Sequence, residues 1–231
     1  MRSFHTPSTG EAVEEHAEAR RVLIVTAVAA ERDAVLRGLK GSDRFHVIAA
    51  GAGTAAAAAG TAAALAAGAY GCVINAGIGG GFPGVAPVGS LVVASEMIAA
   101  DLGAETPEGF RSAAELGFGS VSVPADRGTV QALAAALAAA GLTVSTGPVL
   151  TVSTATGTAV TAAALAARHP GAAAEAMEGH GVAVAAEALG LPVLELRAIS
   201  NPVGPRDRAA WKINDAMEAL TAAAAILLEV L

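Results

Sequence analysis

The chain has 231 residues, enough for one domain with a substantial core. It is 54% hydrophobic but only 3% aromatic, so alanine and other small side chains supply much of that core and favour close packing of helices on sheets. A formal net charge of −7 with no basic stripe excludes nucleic acid as a partner, because an acidic surface repels phosphates.

Residues 1–20, MRSFHTPSTGEAVEEHAEAR, lack the apolar stretch of a signal peptide and read as a polar, mobile tail. The remaining residues, 21–231, read as one domain. RVLIVTAV (Arg21 to Val28) is continuous and β-branched, which predicts a buried first strand. AAERDAVLRGL has helical spacing, FHVIAA is a second strand, and GTAAAAAGTAAALAA is a helix. That alanine-rich run is interrupted by glycine and weakly apolar, so it suits an internal helix rather than a membrane span. GCVINAG is a third strand, ending in the glycine loop GIGGGFPG; GSLVVASEMIAA is a longer strand. Residues 101–125 look loop-rich, with Pro107, Gly109, Gly117 and Gly119.

TVQALAAALAAAG is a helix stopped by Gly141. TVSTGPVLTVST is extended, and AVTAAALAARH is a helix that ends before Pro170. AAAEAME is a short strand, GVAVAAEALG a helix ending at Gly190, and PVLELRAIS the last strand. AAWKINDAMEALTAAAAILLEVL reads as one long terminal helix.

Strands alternating with helices predict an α/β domain whose mixed, mostly parallel central sheet is flanked by helices on both faces. Ligands of such sheets lie beyond the carboxyl ends of the strands. The polar residues that interrupt apolar runs fall at those ends: Glu31 after the first strand, Glu178 after AAAEAME, and Arg197, Ser200 and Asn201 in the last. A core would not choose them, because buried polar groups must find partners.

The five histidines (His5, His16, His46, His169, His180) have no metal-ligand spacing, and no metal is expected. Cys72 lies in an apolar run and reads as a small buried hydrophobe. A lone cysteine allows no internal disulfide, so a reducing cytoplasm fits.

Two glycine loops need an explanation. GAGTAA (Gly51 to Ala56) matches the dinucleotide pattern, but the acidic residue expected about 20 residues on is absent. Two readings remain: a tight strand-to-helix turn, or a backbone approach to a sugar or base. NAGIGGG (Asn75 to Gly81) likewise lets backbone N–H groups approach a ligand, and lacks the lysine of a nucleoside triphosphate loop. No cofactor is expected.

Four motifs in this order resemble the nucleoside phosphorylase and nucleosidase superfamily, and within it the bacterial futalosine hydrolases: TAVAAERDAV, INAGIGGGFPGVAPVGSLVVAS, AEAMEG and LRAISNPVGPRDRAAW. The resemblance runs from about residue 21 to the last residue. It implies that Glu31 activates the attacking water, although a first-turn helix carboxylate is the plain alternative. It implies that Met177 packs on the ribose and Glu178 accepts from its hydroxyls, with Glu175 facing away or bordering the site. Arg197 and Ser200 match an Arg-x-x-Ser before the catalytic position, with the arginine near the glutamate and water. Gly79 and Gly80 would line the substrate. Ile78 stands where the nucleosidases carry serine. Thr154 and Thr156 fall in the segment that covers the purine, or are polar turn residues.

Asn201 stands where adenine-specific nucleosidases carry aspartate. A carboxamide donates and accepts at once, which suits the N7–H and O6 of a departing 6-oxopurine, so hypoxanthine is the expected leaving group. Both glycine loops lack Lys and Arg, the usual donors to phosphate, so water is the expected nucleophile. Asparagine is no Brønsted acid, which leaves solvent or Asp207 to supply a proton. Asp207 also reads as the N-cap of the terminal helix. Arg206, Arg208 or Lys212 would meet the carboxylate on the 5′ side of futalosine, or be ordinary solvated charges. Three activities stay open: futalosine hydrolysis, methylthioadenosine or adenosylhomocysteine hydrolysis, and inosine phosphorolysis. A non-catalytic nucleoside-binding module is the fourth reading. The resemblance further implies a homo-oligomer, a dimer or larger, acting on a small nucleoside without a membrane.

Overall fold

The first strand, β1 (Arg21–Thr26), separates two cores. Val22 and Ile24 face one cluster of buried side chains, while Leu23 and Val25 face the other. A strand that is apolar on both faces belongs in the middle of a sheet covered on both sides. The computed structural model describes residues 21–231, and the polar tail expected over residues 1–20 lies outside the described residues.

After β1 come α1 (Ala29–Leu39), β2 (Phe45–Ala49), α2 (Thr54–Ala67), β3 (Tyr70–Gly81) and β4 (Leu91–Ala99). A small hairpin follows, β5 (Gly103–Thr106) and β6 (Gly109–Ser112), then β7 (Ser122–Pro124) and α3 (Arg127–Ala139). The chain continues through β8 (Val144–Thr151), α4 (Ala159–Arg168), β9 (Ala174–Ala176), α5 (Gly179–Glu187), β10 (Val193–Pro202) and α6 (Ile213–Val230).

In the main sheet, β2, β1, β3 and β10 run parallel to their neighbours. β4 then pairs antiparallel with β10 and parallel with β8, β8 pairs parallel with β9, and β9 returns antiparallel to the end of β3. Five strands therefore close a ring, β3-β10-β4-β8-β9, from which β1 and β2 extend. Helices α1, α3 and α6 cover one face, and α2 and α5 the other. The sheet is thus mixed, as the alternation of elements predicts.

Four expectations need correction. The glycines Gly77 to Gly81 are not a loop after β3 but its second half, paired with β10 throughout. Their hydrogen bonds come from distant partners, and their missing side chains make room for them. A Cβ at Gly77 would lie 2.6 Å from a Glu31 oxygen and 2.7 Å from an Arg197 nitrogen. Residues 101–125 hold a hairpin, and Arg168 of α4 stacks on its Phe110 at 4.3 Å. Helix α3 begins earlier than its alanine run, because Asp126 caps it by accepting the Thr129 N–H at 2.8 Å. The terminal helix begins at Ile213; Asp207 caps a separate 3₁₀ turn, Arg208–Ala210, by accepting the Ala209 N–H at 3.2 Å.

Candidate active site

The site is built around one buried cation. Arg197 is 1% exposed, on a strand whose apolar neighbours Leu196 and Ala198 point into the opposite core. Its Nε–H donates to Glu195 at 2.8 Å, and its Nη2 donates to Asn75 and lies 3.4 Å from Glu178. Nη1 donates to the Ile78 carbonyl at 3.4 Å. Burial works against the charge, but Glu195, Glu178 and Glu31 outweigh it and hold the guanidinium pKa above its ordinary value.

Glu31 is 3% exposed and lies in the first turn of α1. One oxygen accepts the N–H groups of Ala27 at 3.0 Å and Val28 at 3.2 Å; the other accepts the Ile78 N–H at 2.9 Å. Three backbone donors thus fix a carboxylate at the carboxyl end of β1, with lone pairs still free.

Glu178 sits at the N-terminus of α5 and accepts the Gly53 N–H at 3.0 Å and its neighbour's, Met177, at 3.3 Å. The first glycine loop is explained by this contact. Gly53 has φ 91°, a conformation other residues adopt only with strain, and it aims its N–H at Glu178. The loop makes a tight strand-to-helix turn, and its Gly53 donor serves a site carboxylate.

Asn201 stands at the far end of the cleft. Its Oδ1 accepts from the Ser200 hydroxyl at 2.8 Å, and its Nδ2 donates to the Pro202 carbonyl at 3.0 Å. These partners fix which end of the amide is which, and leave one lone pair and one N–H unused. The cleft is lined by Ala27, Glu31 and Ile78 on one wall, by Gly79, Gly80, Ser200 and Asn201 along the floor, and by Glu175 to Glu178 opposite. Ala155, Thr156, Val203, Arg206 and Trp211 complete it.

The fold thus brings Glu31, Gly79, Gly80, Thr156, Met177, Glu178, Ser200 and Asn201 to one cleft, with Arg197 directly behind. Thr154 is exposed and is not among the lining residues. Asp207 and Arg208 are exposed outside the lining, whereas their neighbour Arg206 lies in it, over the Trp211 ring at 5.2 Å. Glu175 borders the cleft and does not face away.

Sequence reasoning missed Asn75, Glu195 and Trp211. The signal for Glu195 was present: in LELRA a charged residue precedes Arg197 by two, hence on the same strand face. Glu195 is wholly buried, one of its oxygens has no partner, and burial pushes its carboxyl pKa up despite the adjacent Arg197. Among the described residues no group of three or more His, Cys, Asp or Glu is placed to hold a metal ion.

The fold and cleft define a member of the phosphorylase superfamily, whose family model matches residues 7–231. A futalosine hydrolase of Streptomyces coelicolor is 54% identical over 230 residues, covering 91% of this chain and 96% of that one. The chain belongs to this superfamily and, within it, to the futalosine hydrolase family. Among solved structures, a methylthioadenosine/adenosylhomocysteine nucleosidase from Neisseria meningitidis superposes with TM-score 0.78 at 18% identity, covering 92% of this chain and all of that one. A futalosine hydrolase mutant of Helicobacter pylori gives 0.77 at 15%, with the same coverage.

Proposed function

We propose that this protein hydrolyses the N-glycosidic bond of futalosine, releasing hypoxanthine and dehypoxanthine futalosine in menaquinone biosynthesis by the futalosine route. The observation that carries the reading is the convergence of two carboxylates and a carboxamide, Glu31, Glu178 and Asn201, on one cleft. In this reading Glu31 takes a proton from water as the bond to the base breaks. Glu178 accepts from the ribose hydroxyls, Met177 packs on the sugar, and positive charge develops at the anomeric carbon between the two carboxylates. Arg197 keeps both acids in place. Asn201, oriented by Ser200, meets the N7–H and O6 of the departing base, over the floor formed by Gly79 and Gly80.

Solvent at the cleft mouth supplies the proton to the base; Asp207 is committed to Ala209 outside the lining. No lysine or arginine stands on the wall of Ala27, Glu31 and Ile78, which favours water over phosphate. The aromatic carboxylate on the 5′ side fits Trp211 and Arg206, one offering a ring and the other a charge.

The reading extends to a homo-oligomer in the cytoplasm. Exposed Leu102 and Val184 border a shallow alanine-lined groove on α2, which suits burial against another subunit. No helix among the described residues is long and apolar enough to cross a membrane.

Incubation with futalosine in phosphate-free buffer, followed by chromatography, tests the proposal. Free hypoxanthine is the expected product. Turnover only with added phosphate, or only of methylthioadenosine, would replace this reading with one of the other activities.

A further inference from the structure

A carboxamide reads only one edge of a purine. With its ends oriented by Ser200 and Pro202, the free N–H and lone pair of Asn201 suit the O6 and N7–H of hypoxanthine, and the rest of the ring goes unread by this contact. The bases differ next at N1, which carries a hydrogen in hypoxanthine and a lone pair in adenine. An acceptor there would add a second, independent discrimination.

Sheet register supplies a candidate. Gly80 of β3 pairs with Glu175 of β9 on one side and with Asn201 of β10 on the other. Three residues in one row point to the same face of a sheet. Ala174 and Ala176 pack into the core on the opposite face, which turns Glu175 toward the cleft. The alternation in β10 would put Ser200 opposite Gly80, but the register shifts between Ile199 and Asn201, and Asn201 takes that place. Gly80 between them has no side chain; a Cβ there would come within 3.3 Å of the Asn201 Nδ2. Two adjacent inter-strand spacings separate the outer residues by about 10 Å between Cα atoms, room for a flat base bridged at both edges.

We propose that Glu175 is a specificity-determining residue that accepts the N1–H of the 6-oxopurine while Asn201 holds its N7 and O6 edge. This rests on the hydrolase reading above. Thr156 reinforces it. Both of its donors, N–H at 2.8 Å and hydroxyl, are turned into Glu175 and so are withheld from a ligand. This end of the cleft presents acceptors, each carboxylate oxygen keeping a free lone pair. An adenine N1 meets only repulsion there. Burial raises the Glu175 pKa and the Thr156 bonds partly offset it, so the acceptor is one that a bound N–H would help to keep ionised.

The test compares futalosine with its adenine counterpart, and hypoxanthine with 1-methylhypoxanthine as competing free bases. The parent should favour futalosine and bind 1-methylhypoxanthine about 10- to 100-fold more weakly than hypoxanthine, the usual cost of losing a bond to a charged group. In Glu175→Gln, whose amide can donate to adenine N1, the futalosine preference should shrink at least about 10-fold. In Glu175→Ala the penalty for the methyl group should vanish. A preference unchanged in Glu175→Gln, or a methyl penalty that persists in Glu175→Ala, overturns the assignment. Equal binding of the two free bases by the parent overturns it without any variant. A parent that leaves futalosine intact overturns the hydrolase reading instead, and the free-base comparison then judges the N1 contact separately.

Discussion

Arg197 donates its Nε–H to Glu195 at 2.8 Å where neither side chain reaches solvent. The same guanidinium pairs with Glu178 at 3.4 Å. In Glu195→Gln the amide oxygen still accepts the Nε–H, and steady-state constants should stay within about threefold of the parent, since the orienting bond is kept. Glu195→Val removes the acceptor, lets Arg197 close on Glu178, and costs about 3–5 kcal/mol of stability as a broken buried pair. The KM for futalosine should rise about 10-fold or more, while competitive inhibition by free hypoxanthine, which needs no sugar contact, stays the same. Equal losses in both measurements would reduce Glu195 to a merely structural role.

Replacing Glu31 separates chemistry from binding. Glu31→Gln removes the base and should lower kcat by about 10²- to 10⁴-fold with little change in KM. The amide also turns an N–H toward one of three backbone donors now satisfied by the carboxylate. A stability loss of about 1–3 kcal/mol accompanies it. Hypoxanthine binding should survive. A variant with parental kcat would remove Glu31 from the mechanism.

Arg206 lies in the cleft lining and Arg208 does not, so the two should separate on substrates that differ at the 5′ end. Arg206→Ala should lower kcat/KM for futalosine about 10-fold relative to inosine, the usual value of a charge-assisted contact. Arg208→Ala should change the ratio by less than about threefold. Equal losses of Arg206→Ala on both nucleosides would mean that its charge serves no 5′ carboxylate.

The contribution of Glu195 to stability should fall as pH rises above the ordinary carboxylate range, whereas His169 and His180, whose pKa values burial lowers, act the other way. Burial raises the folded-state pKa of Glu195 above its usual value of 4.5. A raised folded pKa means that this group's contribution is complete below 4.5 and is lost as pH passes through the folded value. Glu175, also raised by burial, acts in the same direction. In urea unfolding, the stability of the parent relative to Glu195→Gln should therefore fall between pH 5 and 8. Superimposable pH profiles would show that Glu195 does not titrate differently on folding.

The parts legible in sequence were those set by local pattern. The buried strands around Ile24, Ile74 and Leu194 and the helices stopped at Gly141 and Gly190 follow from periodicity and breakers. Glu31, Glu178, Arg197 and Asn201 stood out because each interrupts or ends an apolar run. What stayed hidden depends on distant pairing. Gly77 to Gly81 form a strand only because β10 and β9 supply the partners. Asn75 looked like an ordinary strand position until Arg197 lay against it, and the pairing of Glu195 with Arg197 shows only once both are buried. Thr154 and Thr156 were indistinguishable by composition, and only Thr156 meets Glu175.

The slip in register at Ser200 sets a division of labour along one strand. Upstream of it, strict alternation commits Glu195 and Arg197 to anchoring the acids; downstream, the phase is reset and position 201 is free to vary without disturbing them. Evolution can thus exchange the letter that meets the nucleobase while the sugar-cleaving apparatus stays intact. Straightening the slip, so that Ser200 paired with Gly80 in regular alternation, would do the reverse, swinging a hydroxyl into the base's place and retiring the carboxamide to the far side of the sheet.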